Sequence, residues 1–480
     1  MNINQITLTL AFLVLSFLTY GQKEFVPPAN NNGQIDNYSA ALEDHVDNIV
    51  DNLGKEYKSD LRKFYKAKLK ASVLLAENEH FFFHQDWNGY LDEITDKIMS
   101  NNPEHNFEGI QVVLSQYFWP NAFSIGEGTI VINPGLITRL ENEDQLAFIL
   151  CHEFAHYLLD HSEKAYLRLL REMESEELQD QIDQINKSEY YKATQLRKLL
   201  KSRLYSTNKH AREKEVEADS LGLELFKNTG YDFKAAMTTM QILDKLGEKA
   251  DRHLDIPTLI GIDPVQMESS NMLSGNSQEG GWLDFDSVKS HPDCDARFDL
   301  LAKKLKVENA VFSEFKADGE ASDDFKKFRR QMQYFTIESY KRFNRLDVAL
   351  LSVWQMKKEG DENVYLDKEE FHLIARLLYA RKKHKIGHVC TYPNDSMESS
   401  LRQLNSVLFG LRYRDLSKKL IAMATELYDI GYEDEESVYC RVLLAYCKGD
   451  KEDFETSKKE YFARFDRSDE HYEDVFYLRL

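Results

Sequence analysis

His152, Glu153 and His156 occur in the order His-Glu-Phe-Ala-His. Two imidazoles four residues apart leave one face of an α-helix, one turn above the other, and can reach a single metal ion. Neutral imidazole nitrogens suit zinc, and a carboxylate beside an open coordination position can take a proton from a water held there. His152 and His156 are therefore candidate ligands and Glu153 the candidate catalytic base of a hydrolase. Glu215-Val216-Glu217-Ala218-Asp219 offers a third ligand. On a helix Glu215 can complete a set of two histidines and one glutamate, while Asp219, one turn on, can orient a ligand imidazole from behind. Glu217, two residues from Glu215, should point away from the metal.

The elements that must position these groups are legible around them. Leu146 to Leu159 is apolar nearly all round, as expected of a buried helix. Asn142 followed by Gln145 has the form of a capping box, and Glu143 and Asp144 favour the positive end of the helix dipole. Upstream, Ile110 to Leu114 and Thr129 to Ile132 are β-branched runs separated by Pro120, Gly126 and Gly128, which predicts a small antiparallel sheet before the metal helix. An edge strand there could hold an extended peptide by main-chain hydrogen bonds; a core strand without a ligand is the alternative. Helical patterns precede it, with Val46, Ile49, Val50 and Leu53 on one apolar face and Trp87, Tyr90, Leu91, Ile94 and Ile98 on another. The charged stretch from Glu163 to Arg212, free of Pro and Gly, predicts a helical hairpin, either a solvated spacer or a lid. A loop tract runs from Asp251 to Ser290.

The chain resembles the zinc metallopeptidases typified by HtpX and the CAAX prenyl protease, which carry HExxH followed by ExxAD. The resemblance runs from about Asp86 to Lys304. It also takes in the strand segment Asn121-Ala122-Phe123 with Gly128 to Leu136, His161 five residues after His156, and Ser290-His291-Pro292 with a trailing Arg297. It implies His152, His156 and Glu215 as ligands of one zinc ion per chain, Glu153 as base, and a zincin-like domain. His291 is then expected near the zinc, either donating to the tetrahedral oxyanion or capping the fourth zinc position; both roles stay open.

Composition bounds the partners. A net charge of -20 argues against nucleic acid and against an anionic membrane surface, since both attract basic patches. Residues 1–21 read as a secretory signal peptide, with an apolar core from Ile6 to Leu18, cleavage after Gly21, and no Lys or Arg at the start. That core is shorter than the ~20 residues a spanning helix needs, and the mature chain holds no transmembrane run. The chain is therefore expected to be exported, to the periplasm or beyond. Five cysteines make no dense disulfide framework, and Cys440 and Cys447 are too far apart along one helix to bridge. Cys151 is expected to be a small core residue.

From about Phe335 the pattern is helical to the end. Tyr379, Tyr413 and Tyr446, spaced by 34 and 33, match the period of tetratricopeptide repeats. The predicted fold is mainly α with a small antiparallel sheet (α+β), a zincin-like metallopeptidase domain followed by an all-α repeat region. The expected boundaries are a signal peptide at 1–21, a linker at 22–36, the peptidase at 37–330 with the charged insertion at 163–212, and a tetratricopeptide-like region at 335–480. The function read from this is a zinc-dependent endopeptidase acting on misfolded or misassembled envelope proteins. Its partners are protein or peptide substrates, with a further protein on the C-terminal helices. A different class of reading is a chaperone-like scaffold with a latent or structural zinc site, which would give Glu153 nothing to do.

Overall fold

The computed structural model describes residues 24–187, 212–246, 252–262, 294–316, 319–428 and 432–480. The expected leader and His291 lie outside them. The chain divides into two compact units, one of residues 28–248 with 281–336, the other of residues 1–27 with 249–280 and 337–480.

The first unit opens with α1 (Asn32–Asn52), capped by Asn31, whose side-chain oxygen accepts from the Gln34 amide. The polar stretch expected as a linker to residue 36 thus gives its last residues to a helix, because Asn at such a position satisfies an otherwise unpaired amide. Tyr38, Leu42, Val46 and Val50 of α1 share a core with Tyr65 and Leu69 of α2 (Lys58–Glu77) and with Phe81, Val113 and Val131 of the sheet. The strands are β1 (Phe81–Phe82), β2 (Gln111–Ser115), β3 (Ala122–Ser124) and β4 (Thr129–Ile132), in the order β1-β2-β4-β3.

The sheet is mixed, which corrects the expectation of an antiparallel one. β1 pairs antiparallel with β2 and β3 with β4, but β2 and β4 run parallel, Val113 opposite Val131. β4 is buried along its whole length, so it sits inside the sheet. The chain passes β2, runs down the edge as β3 and turns back through Ile125 to Gly128 to fill the inner place, and that reversal makes β4 parallel to β2. Gly128 has φ +119°, and a Cβ there would lie 2.3 Å from the Gly109 carbonyl oxygen. β3 packs on the next long helix of the chain.

That helix, α4 (Glu143–Leu158), begins as expected: the Asn142 side chain accepts from the Gln145 amide at 3.0 Å. The Gln145 side chain returns to the Glu141 amide, at 2.6 Å, one residue before the cap. Every residue from Gln145 to Ala155 is buried. α4 ends at a left-handed residue, Asp160 (φ 51°), and the chain turns directly into α5 (His161–Glu174) and α6 (Glu176–Lys187). The rest of the charged insertion lies outside the described residues. α7 (residues 212–227) then crosses α4 so closely that a Cβ at Gly222 would stand 3.0 Å from the His152 Cα. α8 (Ala235–Lys245) packs on α4 and on α9 (Cys294–Leu305). α3 (Gln85–Ser100), with Trp87, Leu91, Ile94 and Ile98 buried, covers β2. The last helix of the sequence that contributes here, α10 (Asp323–Arg342), is continuous across residue 335.

The second unit is built on α12 (Val364–Lys382), which packs against α11 (Leu346–Lys358), α14 (Tyr413–Tyr428) and α15 (Glu435–Lys448); α16 (Lys451–Arg464) packs on α15, and α13 (Ser399–Gly410) on α11. Phe25, from the start of the described chain, lies edge-on to Tyr365 at 4.9 Å, and its amide donates to the Asn363 side chain. Tyr379 and Tyr446 fall in the last turns of their helices, whereas Tyr413 opens α14, so the three are not equivalent positions of a repeat. At the centre, Lys341 lies 2.7 Å from Glu369, 3.1 Å from Glu338 and 3.2 Å from Glu436. All five cysteines are buried thiols outside any disulfide. Among the described residues no helix is long and apolar enough to cross a membrane.

Candidate active site

Three elements build the site. α4 carries His152, Glu153 and His156; α7 carries Glu215, Glu217 and Asp219; α9 carries Arg297. The close crossing at Gly222 brings the first two together, since any side chain there would push the helices apart. Ligand atoms of His152, His156 and Glu215 lie within 4.8 Å of one another. The Nε2 atoms of the two histidines are 3.1 Å apart, and the Glu215 carboxylate stands 3.5 Å from the first and 3.4 Å from the second. Both imidazoles therefore turn Nε2 toward Glu215 and toward each other. Glu153 is only 2% exposed and lines the same cleft as His152.

Behind the trio the contacts are specific. The Asp219 carboxylate is 3.0 Å from His152 Nδ1. Arg297 donates to both oxygens of Asp219, Nε at 2.6 Å and Nη2 at 2.7 Å, and its Nη1 lies 3.2 Å from Glu215. One buried guanidinium thus braces the candidate ligand Glu215 and the residue that orients His152. Burial alone would raise the Asp219 carboxyl, but Arg297 and His152 outweigh it and hold the group down at about 2. Burial likewise opposes charge on His152, yet the Asp219 and Glu215 carboxylates push it up to about 10. The carboxylates around the His152 ring therefore favour positive charge there. Two imidazoles and a carboxylate of this chemistry, in a pocket that favours a cation, fit zinc.

His156 has a different support. Its Nδ1 lies 2.8 Å from His161 Nδ1, and His161 Nε2 lies 3.1 Å from the Glu217 carboxylate. Burial and the neighbouring His156 push the His161 imidazole down to about 4. Glu217 does point away from the trio, as its spacing from Glu215 predicts, but it ends on a buried histidine. The partnership of His161 with Glu217 was not readable from spacing, because the two are 56 residues apart.

A cleft opens beside Glu153, lined also by His152 and Arg297. Ala122 at the start of β3 and Asn121 just before it line the cleft, α4 supplies Phe148 and Ile149, and α8 supplies Met240 and Leu243. The contribution of α8 had no signal in the sequence beyond an ordinary apolar helix. β3 is one of the two edges of the sheet among the described residues, β1 being the other.

Residues 86–305 match peptidase family M48. The chain is also 29% identical over 130 residues to the mitochondrial metalloendopeptidase OMA1 of Arabidopsis thaliana, a match covering 27% of this chain and 25% of that protein.

Proposed function

We propose that this chain, whose residues 86–305 form a peptidase family M48 domain, is a zinc-dependent endopeptidase that hydrolyses peptide bonds in protein substrates. The observation that carries the reading is the convergence of His152, His156 and Glu215 beside a buried Glu153 on the wall of a cleft. His152, His156 and Glu215 would hold the metal. Zinc, when bound, would act as a Lewis acid and make a water more acidic at neutral pH. Glu153 takes the proton from the attacking water and returns it to the leaving amine, because its carboxylate lies next to the ligand His152 in the sequence and faces the same cleft. Asp219 fixes the His152 tautomer, and Arg297 keeps Asp219 ionised and orients Glu215. The outer edge of β3 suits an extended peptide, whose main chain would pair with the strand whatever its sequence.

The finer reading is an exported enzyme of the periplasm or secreted space that clears misfolded or misassembled envelope proteins. It is supported by the apolar run from Ile6 to Leu18 and by a separate helical unit able to receive a client or partner protein. The test is metal analysis together with casein cleavage. The wild type should hold about one zinc and cut casein; Glu153→Gln should keep the metal and lose turnover by at least about 100-fold. A Glu153→Gln protein as active as the wild type would remove the assigned base and with it the mechanism.

A further inference from the structure

On the reading of His152, His156 and Glu215 as a zinc set, we propose that His161 and Glu217 form a positioning relay that fixes the tautomer and ring orientation of His156, the counterpart of Asp219 at His152. A neutral imidazole carries one proton, on either nitrogen, and only the form protonated at Nδ1 leaves Nε2 free to bind a metal. At His152 the Asp219 carboxylate, 3.0 Å from Nδ1, favours that form. At His156 the group at Nδ1 is another imidazole, His161, at 2.8 Å. With His156 Nε2 committed to the site, the direction of every bond is set. His156 Nδ1–H donates to His161 Nδ1, so the single proton of His161 sits on Nε2 and donates to Glu217, 3.1 Å away. One choice of proton position at the site thus runs out to a carboxylate that is 62% exposed at its side chain.

The backbone is shaped to deliver this contact. Asp160 adopts a left-handed conformation, φ 51°, which ends α4 and turns the first residue of α5 back toward His156. Lys214 Nζ donates to the His161 carbonyl at 2.5 Å, tying that turn to the helix that bears Glu215 and Glu217. His161 is 4% exposed, so its ring has little freedom to leave. It does not serve as a ligand of the same ion, because it meets His156 on Nδ1, the nitrogen that faces away from His152 and Glu215. α7 therefore supplies one side chain to the metal, Glu215, and one support to each histidine, Asp219 directly and Glu217 through His161.

The experiment measures zinc affinity of the full chain by competition with a chelator, and the His156 tautomer by nitrogen NMR of the zinc-loaded, histidine-labelled protein. His161→Leu should weaken zinc binding roughly 10- to 100-fold. His161→Gln, whose amide oxygen can accept from His156 Nδ1, should recover most of that loss. Glu217→Ala should weaken binding several-fold alone and have no further effect in His161→Gln, because the glutamine needs no partner to accept. The relay is overturned if His161→Leu binds zinc as the wild type does, or if Glu217→Ala acts equally in both backgrounds. Should His161→Leu fail to fold, Glu217→Ala at the exposed end of the chain still decides, and unchanged affinity and tautomer there count against the proposal. A wild type that binds no zinc would sink the metallopeptidase reading as well, whereas a zinc-loaded, casein-cleaving wild type with unaffected variants would sink the relay alone.

Discussion

Replacing Asp219 by Asn changes no volume and removes one charge, and the surrounding donors decide its effect. Asp219 is fully buried among three donor groups: Arg297 Nε donates to one oxygen and Arg297 Nη2 to the other, and His152 Nδ1 lies 3.0 Å from that second oxygen. An amide offers one oxygen and one NH2 group. If its oxygen stays toward His152, the NH2 faces Arg297 Nε–H; if it flips, the NH2 faces both His152 and Arg297 Nη2. Either way a donor meets a donor where no water can intervene, at a cost of about 1–3 kcal/mol. In the flipped state His152 keeps no acceptor for Nδ1–H, its proton moves to Nε2, and the nitrogen needed for zinc is blocked. We expect zinc affinity to fall roughly 10- to 100-fold, or about 1.4–2.8 kcal/mol. Competition with a fluorescent chelator at fixed pH reads this directly, and Glu224→Gln, an exposed change of equal charge on the same helix, is the control. An Asp219→Asn protein that binds zinc within twofold of the wild type would refute the claim that this contact sets the ligand's tautomer.

Gly222→Ala should separate α4 from α7, because the new methyl would meet the His152 and Cys151 backbone at 3.0 to 3.2 Å; a stability loss of about 1–3 kcal/mol by denaturant titration, with weaker zinc binding, is expected. Wild-type stability there would mean the crossing yields freely. Lys341→Met should destabilise the helical unit by about 2–4 kcal/mol, since it leaves the buried Glu369 and the half-buried Glu338 and Glu436 around an absent cation. The same cluster sets a pH dependence. Burial would raise Glu369 and Glu436, but Lys341, with His372 and for Glu436 also Arg376, holds both below the ordinary 4.5. The stability they contribute is present above the unfolded value and is lost as pH falls through the folded values. Glu338, raised by burial, works the other way, one group against two. The gap in melting temperature between wild type and Lys341→Met should therefore narrow from pH 6 to pH 3 in circular-dichroism melts; a constant gap would show that Lys341 does not hold these carboxylates ionised.

How much of the site and fold is legible in the sequence divides by distance along the chain. His152, Glu153 and His156, and Glu215 with Asp219, are one-turn spacings, and a helix of known pitch turns them into faces without any knowledge of the fold. The apolar surround of α4 and the cap at Asn142 arise from side chains within a few residues, and they are where local reasoning places them. The sheet marks the limit. The strand segments are readable from β-branched runs, but whether β4 lies beside β2 or beyond it depends on which of two short strands buries both faces. Alternation within four residues does not carry that information.

The remainder came from packing alone. Arg297 stands 78 residues from Asp219, and its bidentate grip on that carboxylate exists only because α9 docks where α7 crosses α4. Spacing places Glu217 off the helix face that carries Glu215 and Asp219, but says nothing of what the other face meets, and the left-handed turn at Asp160 is what swings His161 into its reach. Lys341 shows the same in the second unit: one cation among three carboxylates drawn from three helices, each an ordinary surface charge in the sequence. The sequence by itself determined which side chains could do the chemistry and which of them share a helical face, because pitch is a local property. Which charges meet, which nitrogen of a histidine is free, and which apolar side chains wall the cleft are set by helices that pack far from one another in the chain, and only the tertiary structure decided them.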